Sequence, residues 1–179
     1  MKLTENFKLT EFTKSSTAQR LGLDNTPSPN IVRALTNLCQ QVLQPLRDWY
    51  GKPIIVSSGY RSAMLNKAVG GVSNSQHMKG EAADLQVKPP TTTTAQTPST
   101  ASPNGGVVSL AGKNGGGGAS TVGRVNAELK WLFEYIRDNL PFDQLILEHN
   151  KAGVYWIHVS CKEDVTKNRK QVIYDLLKK

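Results

Sequence analysis

A long stretch of low complexity divides this chain and constrains how the rest can fold. Residues 89–123 are rich in Thr, Ser, Pro and Gly, contain runs such as TTTT and GGGG, and carry almost no charge. Such a stretch cannot bury enough apolar surface to offset the entropy of ordering it. It reads as a flexible insertion rather than packed structure. Neither flank has enough apolar residues for a core of its own, so both are expected to fold together as one domain over residues 1–179. A length of 179 residues fits one domain, and such a domain can bury a core without disulfide or metal staples. The insertion is expected to lie on the surface in preference to acting as a lid.

The flanks carry clear periodicities. From Asn30 to Tyr50, Ile31, Leu35, Leu38, Val42, Leu46 and Trp49 recur every three or four residues, which predicts one amphipathic helix stopped by Gly51. Cys39 lies beside that stripe as a small buried hydrophobe. Pro53–Ser58 reads as a strand, Ser62–Val69 as a short helix closed by Gly70-Gly71, and Ala82–Val87 as a second strand. Arg124–Leu140 is helical in pattern, through Leu129, Leu132, Phe133 and Ile136. Gln144–Glu148 and Val154–Ser160 read as a hairpin, and Gln171–Leu177 as a short terminal helix. The leading segment, residues 1–29, is read as irregular, pinned by Leu3, Phe7, Leu9 and Phe12, with a helical turn at Thr17–Leu21. The sum is an α+β domain: a small antiparallel sheet flanked by helices.

Charge and cysteine content exclude several classes. Lys and Arg total 22 against 14 Asp and Glu, a formal charge of +8. The charge is scattered, which suits a solvated surface, and it also suits an anionic polymer such as a bacterial cell wall. No nucleic-acid motif is present, so nucleic acid is not an expected partner. No apolar run is long enough to span a bilayer. The start, MKLTENFKLTEF, has no apolar core of a secretory signal, so synthesis in the cytoplasm without a signal peptide is expected. Cys39 and Cys161 form no CxxC pair and no disulfide framework. Cys161 is assigned to the core or a sheet edge.

Chemistry concentrates at two places. In Ser75-Gln76-His77-Met78-Lys79-Gly80-Glu81-Ala82-Ala83-Asp84, a His and an Asp flank a glycine turn, and Asp84 enters an otherwise apolar strand. A carboxylate there needs a cation or strong donors. In Trp156-Ile157-His158-Val159-Ser160, strand alternation puts Trp156, His158 and Ser160 on one face. Two imidazoles and one carboxylate form a three-ligand set for Zn²⁺ with a fourth position open, the arrangement of a catalytic zinc site. Such a site also needs a general base. Glu148 closes the strand before the hairpin, where pairing would carry it toward His158. His149 is read as a solvated hairpin residue.

These blocks resemble the D-alanyl-D-alanine carboxypeptidase-like zinc peptidases, the superfamily that also holds phage endolysins and the signalling domain of hedgehog proteins. The resemblance rests on Ser57-Ser58-Gly59-Tyr60-Arg61-Ser62, Asn66, Val69-Gly70-Gly71, the Ser75-x-His77-x-x-Gly80-x-Ala82-x-Asp84 block, and Trp156-Ile157-His158-Val159-Ser160. It implies zinc ligands at His77, Asp84 and His158, and a general base at Glu148. Some relatives carry that base three residues before the last His, where this chain has Tyr155. It further implies that Arg61 points into the cleft toward an oxyanion or a substrate carboxylate, and that Ser75 hydrogen-bonds near the substrate or the ligand loop. Trp156, counted with Ser75 among the substrate-binding candidates, reads as a wall beside the metal. The implied function is hydrolysis of an amide bond in peptidoglycan stem peptides or cross-links, by a monomeric enzyme of the phage or prophage lysin type acting at the cell wall. The hedgehog resemblance keeps a second possibility open, a zinc-binding module without catalysis.

Overall fold

The computed structural model describes residues 1–88 and 126–177. The Thr/Pro/Gly-rich insertion expected at 89–123 lies outside the described residues, as does Arg124 at the expected start of the late helix.

Five strands form one sheet: β1 (Ile55–Ser58), β2 (Ala82–Gln86), β3 (Gln144–His149), β4 (Tyr155–Ser160) and β5 (Gln171–Leu177), in the order β1-β2-β4-β3-β5. The first four pair antiparallel. Alternation along these strands builds two different faces. Ala83, Leu85, Leu145, Leu147, Ile157 and Val159 point into the core. Their neighbours Asp84, Ile146, Glu148, Trp156 and His158 point to a cleft on the opposite face. Both faces follow from the period of two in a strand.

The C-terminal strand corrects a sequence expectation. Gln171–Leu177 is β5, not a helix, and it pairs parallel to β3, with Gln144 opposite Gln171 and Ile146 opposite Ile173. The spacing of Ile173, Leu176 and Leu177 mimics a helical stripe. However, β3 would otherwise expose a row of unpaired backbone groups. Pairing satisfies them, and Val172 packs against the core. The sheet is therefore antiparallel with one parallel edge.

The helices cover the core face. The long helix runs as α3 (Pro29–Leu38), a π-helical turn (Cys39–Leu43) and α4 (Gln44–Tyr50). Pro45 explains the wide turn. Proline has no N–H to donate, and its ring collides with the carbonyl four residues back in a regular helix. The π turn, in which the Gln44 amide reaches back to the Cys39 carbonyl, opens that space. The extra residue also shifts the apolar stripe. Leu35, Leu38, Cys39, Val42, Leu43 and Leu46 are fully buried. Trp49, expected in the stripe, is instead 47% exposed. It stacks on Tyr135 of α6 (Ala127–Asn139), with ring centroids 3.9 Å apart. Among the described residues, no helix is long and apolar enough to cross a membrane.

The leading segment is more regular than expected. It forms α1 (Leu9–Thr13) and α2 (Ser16–Leu21), where Ser15 caps α2 by accepting the Ala18 amide. Leu3, Phe7 and Phe12 are buried as anticipated. Ser62 caps α5 (Ala63–Ala68) in the same way.

Candidate metal centre and cleft

A short 3₁₀ turn, Gln76–Lys79, precedes β2 and carries His77. Gly80 ends it in the left-handed region at φ 71°, and a Cβ there would lie 2.8 Å from the Ile31 carbonyl. Only glycine meets both demands without strain. This tight stop turns the chain directly from His77 into β2 and Asp84. Across the sheet, Asp84 lies opposite His158 in the β2–β4 register, and His158 lies opposite Ile146 in β3. Residues distant in the chain thus meet on one face.

The three expected ligands converge. Asp84 Oδ1 lies 3.3 Å from His77 Nε2 and 3.0 Å from His158 Nδ1. One donor atom from each residue falls within 4.8 Å of the others, and all three residues are buried. His77 Nδ1 lies 2.7 Å from the Gly59 carbonyl, which can only accept. That contact assigns the proton to Nδ1 and turns the Nε2 lone pair toward the cluster. Donors on a tetrahedral zinc, at about 2.0–2.1 Å from the metal, stand about 3.4 Å apart. The observed spacings match that requirement closely, so the donor set fits zinc. Burial alone would raise the Asp84 carboxyl, but the two imidazoles beside it outweigh burial. The carboxyl is held well below the usual carboxylate range, in its charged form.

Arg61 lies in the cleft wall, where its Nη2 donates to Asp84 Oδ2 at 3.1 Å. Its Nε and Nη2 also bond Ser58 Oγ at 3.1 and 2.8 Å. The guanidinium therefore braces the far oxygen of Asp84 as well as facing the cleft. Gly59 sits where backbone meets backbone: a Cβ there would lie 2.6 Å from Phe12 Cα. That close approach holds the carbonyl that orients His77.

Glu148 is buried on the same face, directly opposite Trp156 in the hairpin register. The Trp156 indole donates to Glu148 Oε2 at 2.7 Å. Trp156 is thus bound to the expected base in addition to forming the wall. Ser75 is nearly buried in the cleft lining, and its hydroxyl does not cap the 3₁₀ turn. The cleft encloses about 780 Å³, within the range for a bound small ligand. His149 is half-buried and stacks on Tyr155, with centroids 5.0 Å apart. Cys161 is fully buried, as expected.

One structural support carries no local sequence signal. Asp143 is fully buried and accepts from Gln76 Nε2 at 2.9 Å, from Lys162 Nζ at 3.0 Å, and from both side-chain and backbone nitrogens of Arg169. It ties the turn next to His77 to the start of β3 and the approach to β5. Burial pulls its carboxyl upward, but hydrogen bonds from Arg169 and Lys162 hold it well below the ordinary carboxylate value. A depressed folded-state pKa stabilises the fold above the unfolded pKa of about 3.9, and this is lost as pH falls through the folded value. Asp143→Ala is therefore expected to cost about 3 kcal/mol near neutral pH. The gap to wild type should narrow as pH drops below about 4. Denaturant unfolding across pH checks this, and a pH-independent gap would contradict it.

A sheet face that gathers two imidazoles, a carboxylate and a buried glutamate in an open cleft defines a metallohydrolase-type centre. The family model for Peptidase M15 matches residues 5–114, more than half of the chain, and this protein belongs to that family. The matched region includes His77 and Asp84 and ends before Glu148 and His158. The chain is also 57% identical over 44 residues to the zinc D-Ala-D-Ala carboxypeptidase of Streptomyces albus G. That stretch spans 24% of this chain and 17% of the relative.

Proposed function

We propose that this protein is a zinc-dependent peptidase that hydrolyses an amide bond in peptidoglycan stem peptides or cross-links. The observation that carries the reading is the convergence of His77, Asp84 and His158 beside Glu148 in one cleft. His77 Nε2, Asp84 Oδ1 and His158 Nδ1 would hold the metal. Zinc bound there would supply an acidified water and a Lewis acid for the scissile carbonyl.

The protein's own groups do the rest. Glu148 takes a proton from the attacking water and returns it to the leaving amine. The Trp156 indole fixes the Glu148 carboxylate in place during both transfers. Arg61 braces Asp84 and offers positive charge where the oxyanion develops. Ser75 and Trp156 line the walls that receive the peptide. The substrate assignment is supported by the similarity to a zinc D-Ala-D-Ala carboxypeptidase and by a net charge of +8, which suits an anionic wall. The same features suit a phage or prophage lysin acting at the bacterial wall.

Mass spectrometry of purified peptidoglycan digested with the zinc-loaded protein, across several wall chemotypes, tests the reading. New fragments are expected. Their masses separate loss of a terminal D-alanine from an opened cross-link or a freed stem. Intact peptidoglycan from every chemotype would sink the proposal.

A further inference from the structure

We propose that Arg169 is a specificity residue that binds a carboxylate of the substrate at the Gln144 end of the cleft. The inference rests on the peptidase reading for its substrate class. Arg169 lines the same cleft as the metal centre, together with Gln76 and Gln144, and its side chain is 52% exposed. Its Nε and Nη2 form a fork on fully buried Asp143. Its Nη1 makes no hydrogen bond among the described residues, so the guanidinium keeps donors for a ligand.

Arg169 and Lys162 share the buried Asp143, and Glu81 also acts on both cations. The Arg169 arm is also preorganised. Lys170 adopts φ 55°, a left-handed conformation that non-glycine residues take up only at a cost. Its ammonium is tied to the Leu140 carbonyl and lies over the Phe142 ring. This bend turns the chain so that Arg169 meets Asp143 and the following residues enter β5. A guanidinium locked by one carboxylate, with a free edge toward a cleft, binds a second planar carboxylate at little entropic cost.

Position defines what it would read. Ile146 is level with His158 and Asp84, and Gln144 lies two residues, or about 7 Å, farther along β3. Arg169 sits at that end, just before Gln171, the partner of Gln144. A peptide lying along the cleft would meet Arg169 one or two residues from the scissile bond. Stem peptides with a free carboxylate there are bound in preference to those with a carboxamide.

The test is calorimetric binding to the full-length zinc-loaded chain carrying Glu148→Gln, which suppresses turnover. The probes are a stem pentapeptide and versions in which each carboxylate in turn is a carboxamide. One carboxamide is expected to weaken binding about tenfold, and to have no such effect when Arg169→Gln is added. Arg169→Lys should retain part of the discrimination. Should Arg169→Gln melt early, Asp143→Asn/Arg169→Gln removes the ion pair as a unit and supports the same comparison. Equal carboxamide effects with and without Arg169, or no binding of any pentapeptide, would overturn the assignment. Hydrolysis by the wild-type chain is measured separately. Selective binding without hydrolysis would sink the peptidase reading and leave Arg169 standing, whereas hydrolysis without selectivity would do the reverse.

Discussion

Glu148→Gln is expected to lower kcat on stem peptides by a factor of about 10²–10⁴, with zinc binding and folding preserved. The side chain is buried on the cleft face but is not one of the three converging donors. Glutamine keeps an oxygen that can accept the Trp156 indole hydrogen, so the local packing survives. What it loses is the capacity to take a proton from water. Turnover on a defined stem peptide, with bound zinc measured in parallel, checks this. Lost turnover with zinc retained supports an enzyme whose base is Glu148. Retained turnover would remove Glu148 from that role, and lost zinc would make it a ligand. Trp156→Phe is a useful companion, because it removes the indole donor and keeps an aromatic ring in the cleft wall. It should lower kcat by about tenfold and leave KM nearly unchanged if its main part is to hold Glu148.

The second large effect is on stability. Zinc held by the proposed triad of the folded chain would stabilise the fold by mass action. At one hundred times its dissociation constant, the gain is about 2.7 kcal/mol. For a domain of this size that is a rise of about 5–10 °C in Tm. Chelation should reverse it. Asp84→Asn and His158→Ala are each expected to abolish most of the rise, since each removes a converging donor. Asp84→Asn should also destabilise the metal-free protein, because Arg61 would lose its buried counter-charge. Thermal melts with and without zinc and chelator give both results. An undiminished zinc shift in either variant would place the metal elsewhere.

Much of the site was legible because its spacing is local. The seven-residue interval from His77 to Asp84 across Gly80 encodes a tight turn into a strand, and both residues appear where that turn puts them. Alternation in Trp156–Ser160 placed His158 opposite the core, and the structure agrees. The hairpin expectation for Glu148 also held: it shares the face of His158, although its direct cross-strand partner is Trp156.

Other features depended on partners that the local sequence does not name. Gln171–Leu177 has a pattern compatible with either a helix or a strand, and the open edge of β3 selected the strand. Trp49 left the core because Pro45 required a π turn, which shifted the stripe by one residue. Arg61 was expected only to face the cleft, and its grip on Asp84 became visible once β1 and β2 were paired. Asp143, Gln76 and Arg169 lie far apart in the chain, and nothing in their neighbourhoods marks them as a unit. By itself, then, the sequence determined the turn that carries His77 and the strand faces of Asp84, Glu148 and His158, because these depend on backbone geometry over a few residues. Tertiary structure decided which charges meet and which strand closes the sheet, because buried ions and open edges are satisfied by whatever partner the whole fold brings within reach.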